Sequence, residues 1–351
     1  MAAPDASASS LRRTSDVAGA VVAWRSPEGR DPLDSLQDPA PTRRGLTLAV
    51  CTMSRPESLR RLLESAGIQS RRPDQLVVVD ASRDDASERV VAAAVAGGGP
   101  CESVTYLRVA APLAGLTRQR NAALRLTERE LVAFFDDDIV LDRRCLEEMV
   151  AVLEREPGAV GVGGNVLAQP RRSRAALWRL RRLLGVVPTL EPGRYCRTGM
   201  STPWMLPEES DDVVPGDWLP GYAMMWKTAL AREIGFDESF EGYAQSEDLD
   251  FSLRAARHGG LRMAARARVL HAQAPAGRPD AFRRGYMGIR NRYRVHRSAF
   301  PGKSSGFWFA YGWILDTMLL ARQVVFPRRW KAVLLEAAGR AKAAYEILAG
   351  R

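Results

Sequence analysis

Short apolar runs alternate with amphipathic segments through the first part of the chain. Residues 46–52 and 76–79 are continuous apolar runs, which is typical of strands buried on both faces of a sheet. Between them, residues 56–68 carry leucines at helical spacing and begin with Pro56, which suits a first helical turn. The alternation continues with predicted helices at 88–96 and 116–126 and predicted strands at 104–109 and 131–135. This order predicts right-handed βαβ units and a mostly parallel α/β sheet.

The second half of the chain has a less regular pattern. Strands are predicted at 160–168, 218–226 and 261–270, and helices at 171–184, 228–234 and 246–258. Residues 185–216 contain many Pro, Gly and acidic residues, which predicts a loop or lid. Beyond residue 278 only helices are predicted. Residues 1–44 show no sustained period and are predicted to form a mostly disordered extension.

Three polar side chains follow three of the predicted strands. Thr52, Asp80 and Asp136 each stand at the carboxyl end of a buried apolar run. Sheets of this class bind ligands at the carboxyl ends of their strands. The pattern therefore predicts one site along that edge of the sheet.

An acidic triplet, Asp136 to Asp138, directly follows the strand predicted at 131–135. Three adjacent carboxylates repel one another and are costly to hold together without a counter-ion. Mg²⁺ and Mn²⁺ prefer oxygen ligands and often bridge to substrate phosphates. Alternate residues of an extended segment point the same way, so Asp136 and Asp138 can face one site while Asp137 points elsewhere. The alternative is a solvated acidic turn that starts the next helix, with Asp142 at its cap.

A second acidic motif, Glu247-Asp248-Leu249-Asp250, follows Ser246 and the loop 242–245. Acidic residues in a first helical turn favour the helix dipole and Ser246 can cap the helix, which is a complete structural explanation. Because the loop leads straight into the carboxylates, the motif also suits the edge of a site. There an Asp can act as general base toward an acceptor hydroxyl.

Three further features carry candidate chemistry. His271 ends the last predicted strand, where its imidazole is either structural or a ligand of the same metal. Arg120 lies in the first turns of a helix, which is either a solvated basic turn or a cradle for a diphosphate. Gly221 stands between Trp218 and Trp226, in a segment that either packs in the core or lets the backbone approach a ligand closely.

Composition fits a globular protein with one large domain and additions. The 351 residues are 46% hydrophobic and 26% charged, which excludes a mostly disordered, collagen-like or polytopic membrane protein. The four cysteines are widely spaced, which argues against a zinc site or a disulfide scaffold and for a reducing compartment. The N-terminus lacks a secretory pattern, and Asp316 and Arg322 make residues 307–326 a poor membrane span.

The net charge of +10 is carried almost entirely by arginine, since only four of the 51 basic residues are Lys. This bias reflects either a GC-rich genome or Arg clusters that meet phosphate or anionic lipid. Beyond residue 282, Arg and aromatic residues are interleaved, which is compatible with a membrane-surface helix or with a helical cap on the catalytic domain. Nucleic-acid binding is not expected, because no nucleic-acid motif accompanies the basic residues.

The motifs, taken in their order, resemble those of the inverting nucleotide-sugar glycosyltransferases of family 2. The resemblance runs from residue 46 to residue 271, roughly two thirds of the chain. It rests on residues 50–56 with Leu59, residues 78–82, Arg120-Asn121, Asp136 to Asp138, Gly221 with Met224, and residues 247–250. It implies a GT-A fold, a nucleotide-diphosphate sugar donor, Mn²⁺ or Mg²⁺, and a single displacement by an acceptor hydroxyl.

The resemblance also implies roles for individual residues. Nucleotide-sugar binding is expected from Thr52, Arg55, Asp80, Ser82, Arg120, Asn121, Asp136 and Asp137. Metal binding is expected from Asp136, Asp138 and His271, and acceptor binding from Trp218, Gly221 and Tyr222. Asp248 matches the carboxylate that deprotonates the acceptor, with Glu247 orienting the acceptor or sharing that task. The turn after Asp80 and the insertion at 171–216 depart from the family pattern.

The expected organisation is an extension at 1–44, a GT-A catalytic domain at 45–278 and a basic amphipathic helical region at 279–351. The catalytic domain divides into a nucleotide-binding half at 45–138 and an acceptor half at 139–278. The expected protein is cytoplasmic, or peripheral on the inner face of the cell membrane, where it would act on a hydroxyl acceptor, including a lipid-linked one, in the synthesis of a cell-envelope polysaccharide, glycolipid or other glycoconjugate. The alternatives are a nucleotide-sugar-binding protein that has lost catalysis and a nucleotidyltransferase with a related sheet.

Overall fold

The computed structural model describes residues 12–14, 21–25, 42–109, 114–167, 171–204, 206–207, 209–272, 279–302, 304–321 and 330–350. The strands are β1 (Arg12–Thr14), β2 (Val21–Arg25), β3 (Arg43–Thr52), β4 (Gln75–Asp80), β5 (Ser103–Arg108), β6 (Arg129–Asp136), β7 (Ile139–Leu141), β8 (Ala159–Val166), β9 (Val213–Gly216), β10 (Ala223–Lys227) and β11 (Gly260–His271). The helices are α1 (Pro56–Gly67), α2 (Ala86–Ala96), α3 (Leu116–Leu126), α4 (Cys145–Arg155), α5 (Arg171–Leu183), α6 (Thr228–Ile234), α7 (Glu247–Ala255), α8 (Ala281–Ala299), α9 (Ser305–Ala321) and α10 (Trp330–Leu348).

All eleven strands belong to one mixed sheet. Its order is β1-β2-β5-β4-β3-β6-β10-β8-β11-β7, and β9 pairs with β11. The strands β2, β5, β4, β3 and β6 run parallel, as the βαβ pattern predicts. Strand β10 runs antiparallel to both β6 and β8, so its first residues lie beside the carboxyl end of β6. This arrangement brings two distant parts of the chain to the same sheet edge.

Helices cover both faces of the sheet. On β3, Leu48 and Val50 pack with α1, α2 and α4, whereas Ala49 between them packs with α3, α6 and α7. Successive strand residues point to opposite faces, so a continuous apolar run supplies both cores. The sheet is buried between two helical layers, which confirms the predicted α/β class with C-terminal helices.

Several sequence expectations change in the structure. Within the extension expected at 1–44, the structure describes β1, β2 and the start of β3, and the remainder lies outside the described residues; the boundary at residue 44 stays a prediction. The strand expected from residue 218 begins only at Ala223, because Pro220 and Gly221 cannot extend a ladder. Strand β7 has no counterpart in the sequence pattern. A helix does follow the acidic triplet, but α4 begins at Cys145 with Arg144, and not Asp142, at its N-cap. The described residues of the 185–216 segment form no helix, as the expected loop implies, but the segment ends in β9 and packs inward through Trp204 and Leu206.

The three C-terminal helices pack together, and α8 contacts α7 of the α/β domain. Helices α8 and α10 approach so closely that a Cβ on Gly285 would lie 2.1 Å from the Glu336 carbonyl oxygen, and one on Gly339 would lie 2.0 Å from that of Phe282. Only glycine fits at such a crossing. Of the described helices, none is both long enough and apolar enough to cross a bilayer.

Candidate active site

A cavity of about 530 Å³ opens at the carboxyl ends of β3 and β6, beside the start of β10 and of α7. Its lining includes most of the residues that the sequence motifs singled out: Thr52, Arg55, Arg120, Asp136, Asp137, Asp138, Trp218, Gly221, Tyr222, Glu247, Asp248 and His271. The topology explains this convergence, because the parallel strands end here and the antiparallel β10 begins here. The volume is in the range of small-molecule binding sites.

The acidic triplet divides as its alternation predicts. The Asp137 carboxylate turns toward the end of β3, where it accepts hydrogen bonds from Thr52 Oγ1 at 2.7 Å and Arg55 Nη1 at 2.9 Å. Asp136 and Asp138 point instead toward His271, whose Nε2 lies 3.1 Å from Asp138 Oδ1. Burial and the neighbouring Asp138 and Asp137 charges raise the pKa of Asp136 to about 6, although Arg120 opposes the shift.

Asp136, Asp138 and His271 fit a divalent cation. One ligand atom from each of the three lies within 4.8 Å of the others. Two carboxylate oxygens and one imidazole nitrogen form a donor set that suits Mn²⁺ or Mg²⁺. Three protein ligands leave coordination positions for substrate oxygens.

Arg120 joins the two halves of the cavity. Its buried guanidinium pairs with Glu247, donates from Nη2 to the Gly221 carbonyl at 2.9 Å, and lies 3.5 Å from Asp136 Oδ1. Burial alone would lower the pKa of Arg120, but the charges of Glu247 and Asp136 outweigh burial and raise it. The arginine is therefore a permanent cation between the metal-binding carboxylates and the acidic motif of α7.

The acidic motif of α7 faces the cavity from the other side. Asp248 accepts hydrogen bonds from the backbone N–H of Gly221 at 2.9 Å and of Leu249 at 2.8 Å. Burial raises the pKa of Asp248, and the Gly221 N–H opposes that shift. Burial and the adjacent Asp248 charge raise the pKa of Glu247 to about 8, against the effect of Arg120. Ser246 does not cap the helix with its side chain and instead adopts a left-handed backbone with φ 76°.

At Gly221 the neighbouring side chains leave little room for a Cβ, and the backbone conformation itself does not call for glycine. A Cβ there would lie 3.1 Å from Arg120 Nη2, from Asp248 Cβ and from Glu247 Oε1. The neighbouring Tyr222 ring lies 5.5 Å from the His271 ring, and Trp218 packs at 6.5 Å from Trp204. The segment 218–222 thus links the metal side of the cavity to the inserted segment.

Three predicted donor-binding residues lie outside the cavity lining. Both carboxylate oxygens of the buried Asp80 accept hydrogen bonds, from the Ser82 backbone at 2.8 Å and from the Tyr106 hydroxyl at 2.5 Å. The Asn121 amide holds residues 236–238, since it donates to the Phe236 carbonyl at 2.9 Å. Nucleotide binding by Asp80, Ser82 and Asn121 stays a prediction, and each has a structural partner.

Sequence reasoning missed other residues of the cavity. Gln119 donates to the carbonyls of Thr52 and Val79 at 3.0 and 2.9 Å and so ties α3 to two strand ends. It directly precedes Arg120 in the sequence, but an amide side chain at this position gives no chemical signal. Ser201 and Gln245 also line the cavity and belong to segments without a recognisable motif. Cys51 lines it too, and burial raises its thiol pKa to about 12, so it is no nucleophile at neutral pH.

The family model for glycosyltransferase like family 2 matches residues 42–287, which is more than half of the chain. The chain belongs to this family. Among solved structures, this family 2 protein is similar to the mannosyltransferase PcManGT from Pyrobaculum calidifontis in complex with GDP-Man and Mn²⁺, with 17% identity, a TM-score of 0.54, and coverage of 88% of this chain and 90% of the other. S. aureus TarS 1–349 aligns over 88% of this chain and 92% of its own, with 14% identity and a TM-score of 0.48. No curated protein sequence matches the chain. The likeness to PcManGT supports the GT-A fold.

Proposed function

We propose that the protein is a metal-dependent inverting glycosyltransferase that moves a sugar from a nucleotide-diphosphate sugar to an acceptor hydroxyl. One observation carries the proposal: three side chains that can hold a divalent cation and the half-buried Asp248 carboxylate line the same cavity, and Gly221 contacts Asp248 there. Glycosyl transfer by single displacement requires these two groups on opposite sides of the sugar.

Asp136, Asp138 and His271 would hold Mn²⁺ or Mg²⁺, and Asp136 would also contact the donor. The bound cation supplies charge neutralisation of the leaving diphosphate. Arg120 adds a permanent positive charge 3.5 Å from Asp136, where it attracts the diphosphate and stabilises the charge that develops on it. Mn²⁺ is suggested by the similar mannosyltransferase, whose structure holds that ion.

The donor-side residues are proposed to position the nucleotide. Asp137 holds Thr52 and Arg55 in place through hydrogen bonds of 2.7 and 2.9 Å, and these two side chains line the cavity next to the triplet. Asp80, Ser82 and Asn121 complete the proposed donor side, the first two at the end of β4. The similar mannosyltransferase binds GDP-Man, which makes a guanosine-diphosphate sugar the first donor to test.

Asp248 is proposed to take the proton from the acceptor hydroxyl as that oxygen attacks the anomeric carbon. Its raised pKa increases its basicity above that of an exposed Asp, while the Gly221 and Leu249 N–H groups hold the carboxylate in one orientation. Glu247 orients Asp248 and the acceptor through Arg120. The attack forms the new glycosidic bond, breaks the bond to the diphosphate and inverts the anomeric carbon.

The acceptor is proposed to lie against Trp218, Gly221 and Tyr222, which line the cavity beside Asp248. A lipid-linked acceptor would place the enzyme on the inner face of the cell membrane, in the synthesis of a cell-envelope polysaccharide or glycolipid. The long apolar and aromatic stretch of the C-terminal helices is what suggests a lipid carrier.

Donor binding tests the proposal directly. We expect the melting temperature to rise with one sugar from a GDP-, UDP- and dTDP-sugar series in the presence of Mn²⁺, and the rise to disappear with EDTA. Asp138→Asn and His271→Ala should abolish the Mn²⁺-dependent rise, whereas His258→Ala should retain it, because His258 is exposed just beyond the end of α7.

Measurement of sugar transfer distinguishes an active enzyme from a protein that only binds the donor. The proposal predicts a product of inverted anomeric configuration by NMR. Donor binding without any transfer to a panel of hydroxyl acceptors or to water would favour a protein that has lost catalysis. Release of pyrophosphate from a sugar phosphate and a nucleoside triphosphate would instead identify a nucleotidyltransferase.

A further inference from the structure

Helix α9 exposes a stripe of large apolar side chains. Phe307, Ile314 and Met318 stand at positions i, i+7 and i+11, which share one helix face, and they are 67%, 50% and 65% exposed. The opposite face is buried and carries Phe309 and Asp316. An apolar helix of a globular protein normally buries its largest side chains, so this exposed stripe indicates an interaction surface.

The C-terminal end of α5 lies beside α9. The Tyr311 hydroxyl of α9, on the same face as the stripe, donates to the Leu184 carbonyl just beyond α5, and Arg181 pairs with Asp316. Leu315 of α9 and Trp178 of α5 both pack against the buried cluster of Val186, Val187, Cys196 and Met200. Leu183, which is 83% exposed, directly precedes Leu184, whose carbonyl Tyr311 contacts. Phe307, Ile314, Met318 and Leu183 are called the apolar stripe below.

Uncompensated positive charge borders the apolar stripe. Helix α5 has six Arg and no acidic residue in 13 positions. Arg179 and Arg182 are exposed, and neither has an ion pair within the described part of the chain. On α8, Arg284 and Arg290 pair with glutamates of α10 at 3.1 and 2.6 Å, whereas Arg294 and Arg297 are exposed and form no ion pair among the described residues. On α5, Arg179, Arg182 and the exposed Leu183 stand at positions i, i+3 and i+4 and so share one helix face.

We propose that the apolar stripe and the neighbouring Arg179 and Arg182 dock the protein on an anionic lipid bilayer. Apolar side chains on one helix face enter the boundary between headgroups and acyl chains, and flanking arginines bind anionic headgroups. A second copy seated on this surface by two-fold symmetry would bring the arginines of both copies together without acidic partners, which is unfavourable. The charge thus favours the bilayer.

This surface deepens the proposed function, since a docked enzyme would reach a lipid-linked acceptor. Only the link to a lipid-linked acceptor rests on the proposed function, because binding to a bilayer requires neither the sugar donor nor the metal. Vesicle binding and the donor-dependent melting shift can therefore fail independently.

Vesicle co-sedimentation of the full chain tests the proposal. We expect binding to vesicles of phosphatidylglycerol and phosphatidylcholine to exceed binding to pure phosphatidylcholine by at least about tenfold, and to weaken with added salt. The double variant Phe307→Ser/Met318→Ser should reduce binding to the mixed vesicles about tenfold or more. Arg179→Gln/Arg182→Gln should reduce it similarly and flatten the salt dependence.

A matched control uses exposed apolar residues on another helix. Leu334→Ser/Tyr345→Ser changes two exposed side chains of α10 and should leave vesicle binding within about twofold. Thermal melts establish that each variant folds. Equal binding to both vesicle types, or loss of binding only in the α10 variant, would overturn the proposal. So would a dimer, measured by sedimentation velocity, that the Phe307→Ser/Met318→Ser variant dissociates while vesicle binding is unchanged.

Discussion

The backbone N–H of Gly221 lies 2.9 Å from Oδ2 of Asp248 and donates a hydrogen bond to it. The two residues are 27 positions apart, one just before β10 and the other in the first turn of α7. The bond fixes one carboxylate oxygen and leaves the lone pairs of the group directed to the cavity available for a substrate hydroxyl. A proposed base is thus held by main chain rather than by another side chain.

Replacement of Asp248 tests the role of the base. Asp248→Asn keeps the size of the side chain but removes its basicity, and we expect kcat to fall by about 10²–10⁴. The KM for the donor should change little, because the donor binds on the other side of the cavity. Asp237→Asn, a change on a surface turn that hydrogen-bonds Ser239, is the control. A near wild-type transfer rate in the Asp248 variant would refute the assignment.

Replacement of Gly221 tests whether the close approach of its backbone to Asp248 and Arg120 matters for activity. In Gly221→Ala the new methyl would stand 3.1 Å from Asp248 and from Arg120, so these groups must move by a few tenths of an ångström. We expect kcat to fall by about 10²-fold, since small displacements of reacting groups are costly. Gly67→Ala, where a Cβ has nothing within 4 Å, should keep full activity. If both alanine variants are equally active, the close approach at Gly221 is not functional.

Glu247 makes stability depend on pH. Its pKa is about 8 in the folded protein and near 4.5 when exposed, so the folded state retains a proton that the unfolded state loses between these values. The contribution of this group to stability is therefore present below pH 4.5 and declines as the pH rises toward 8. Relative to Glu247→Gln, the wild type should lose on the order of 1–3 kcal/mol of unfolding free energy from pH 5 to pH 8.

Urea denaturation of both proteins at the two pH values measures this difference. An equal change in the free energy of unfolding for wild type and Glu247→Gln would show that the Arg120 ion pair keeps Glu247 ionised throughout.

Asn291 connects the C-terminal helices to the acidic motif of α7. Its Nδ2 donates to the Gln245 carbonyl at 2.7 Å, inside a loop where Ala244 and Ser246 both adopt left-handed backbone conformations. Non-glycine residues rarely hold that geometry without support. Asn291→Ala should lower kcat about tenfold by loosening the position of Asp248, with an unchanged donor KM.

The exposed Ser298 of the same helix supplies the control for Asn291, and Ser298→Ala should be as active as wild type. An Asn291→Ala enzyme with normal kcat but a lowered melting temperature would assign the bond to stability alone.

Much of the fold could be predicted from local patterns. The central parts of the parallel strands β3, β4 and β6 are buried on both faces, and such strands appear as continuous apolar runs that the sequence displays directly. Strand β7 could not be predicted, because three residues directly after the acidic triplet carry no period. Strand β10 was placed too early, since Trp218 and Leu219 are apolar but belong to an irregular segment.

Local sequence patterns also predicted part of the candidate site, but not the contacts between distant parts of the chain. The alternation of Asp136 and Asp138 correctly placed both beside His271, because direction in an extended segment is local. The pairing of Arg120 with Glu247 spans 127 positions and depends on how α3 packs beside α7, which no local pattern encodes. Likewise, nothing in the composition of residues 185–216 indicated that Ser201 would line the cavity.

The antiparallel pairing of β10 with β6 has a consequence for redesign. Two adjacent residues hold the two proposed functional groups. The Tyr222 carbonyl accepts the Asp136 N–H at 3.1 Å, and the Gly221 N–H donates to the Asp248 carboxylate. In the proposed function, one peptide unit therefore sets the spacing between the leaving-group side and the acceptor side. Chimeras that exchange residues 185–216 with those of a relative can change acceptor preference without altering this spacing. We expect a one-residue insertion between Gly221 and Ala223 to move Asp136 and Asp248 apart, even in a chimera that folds well.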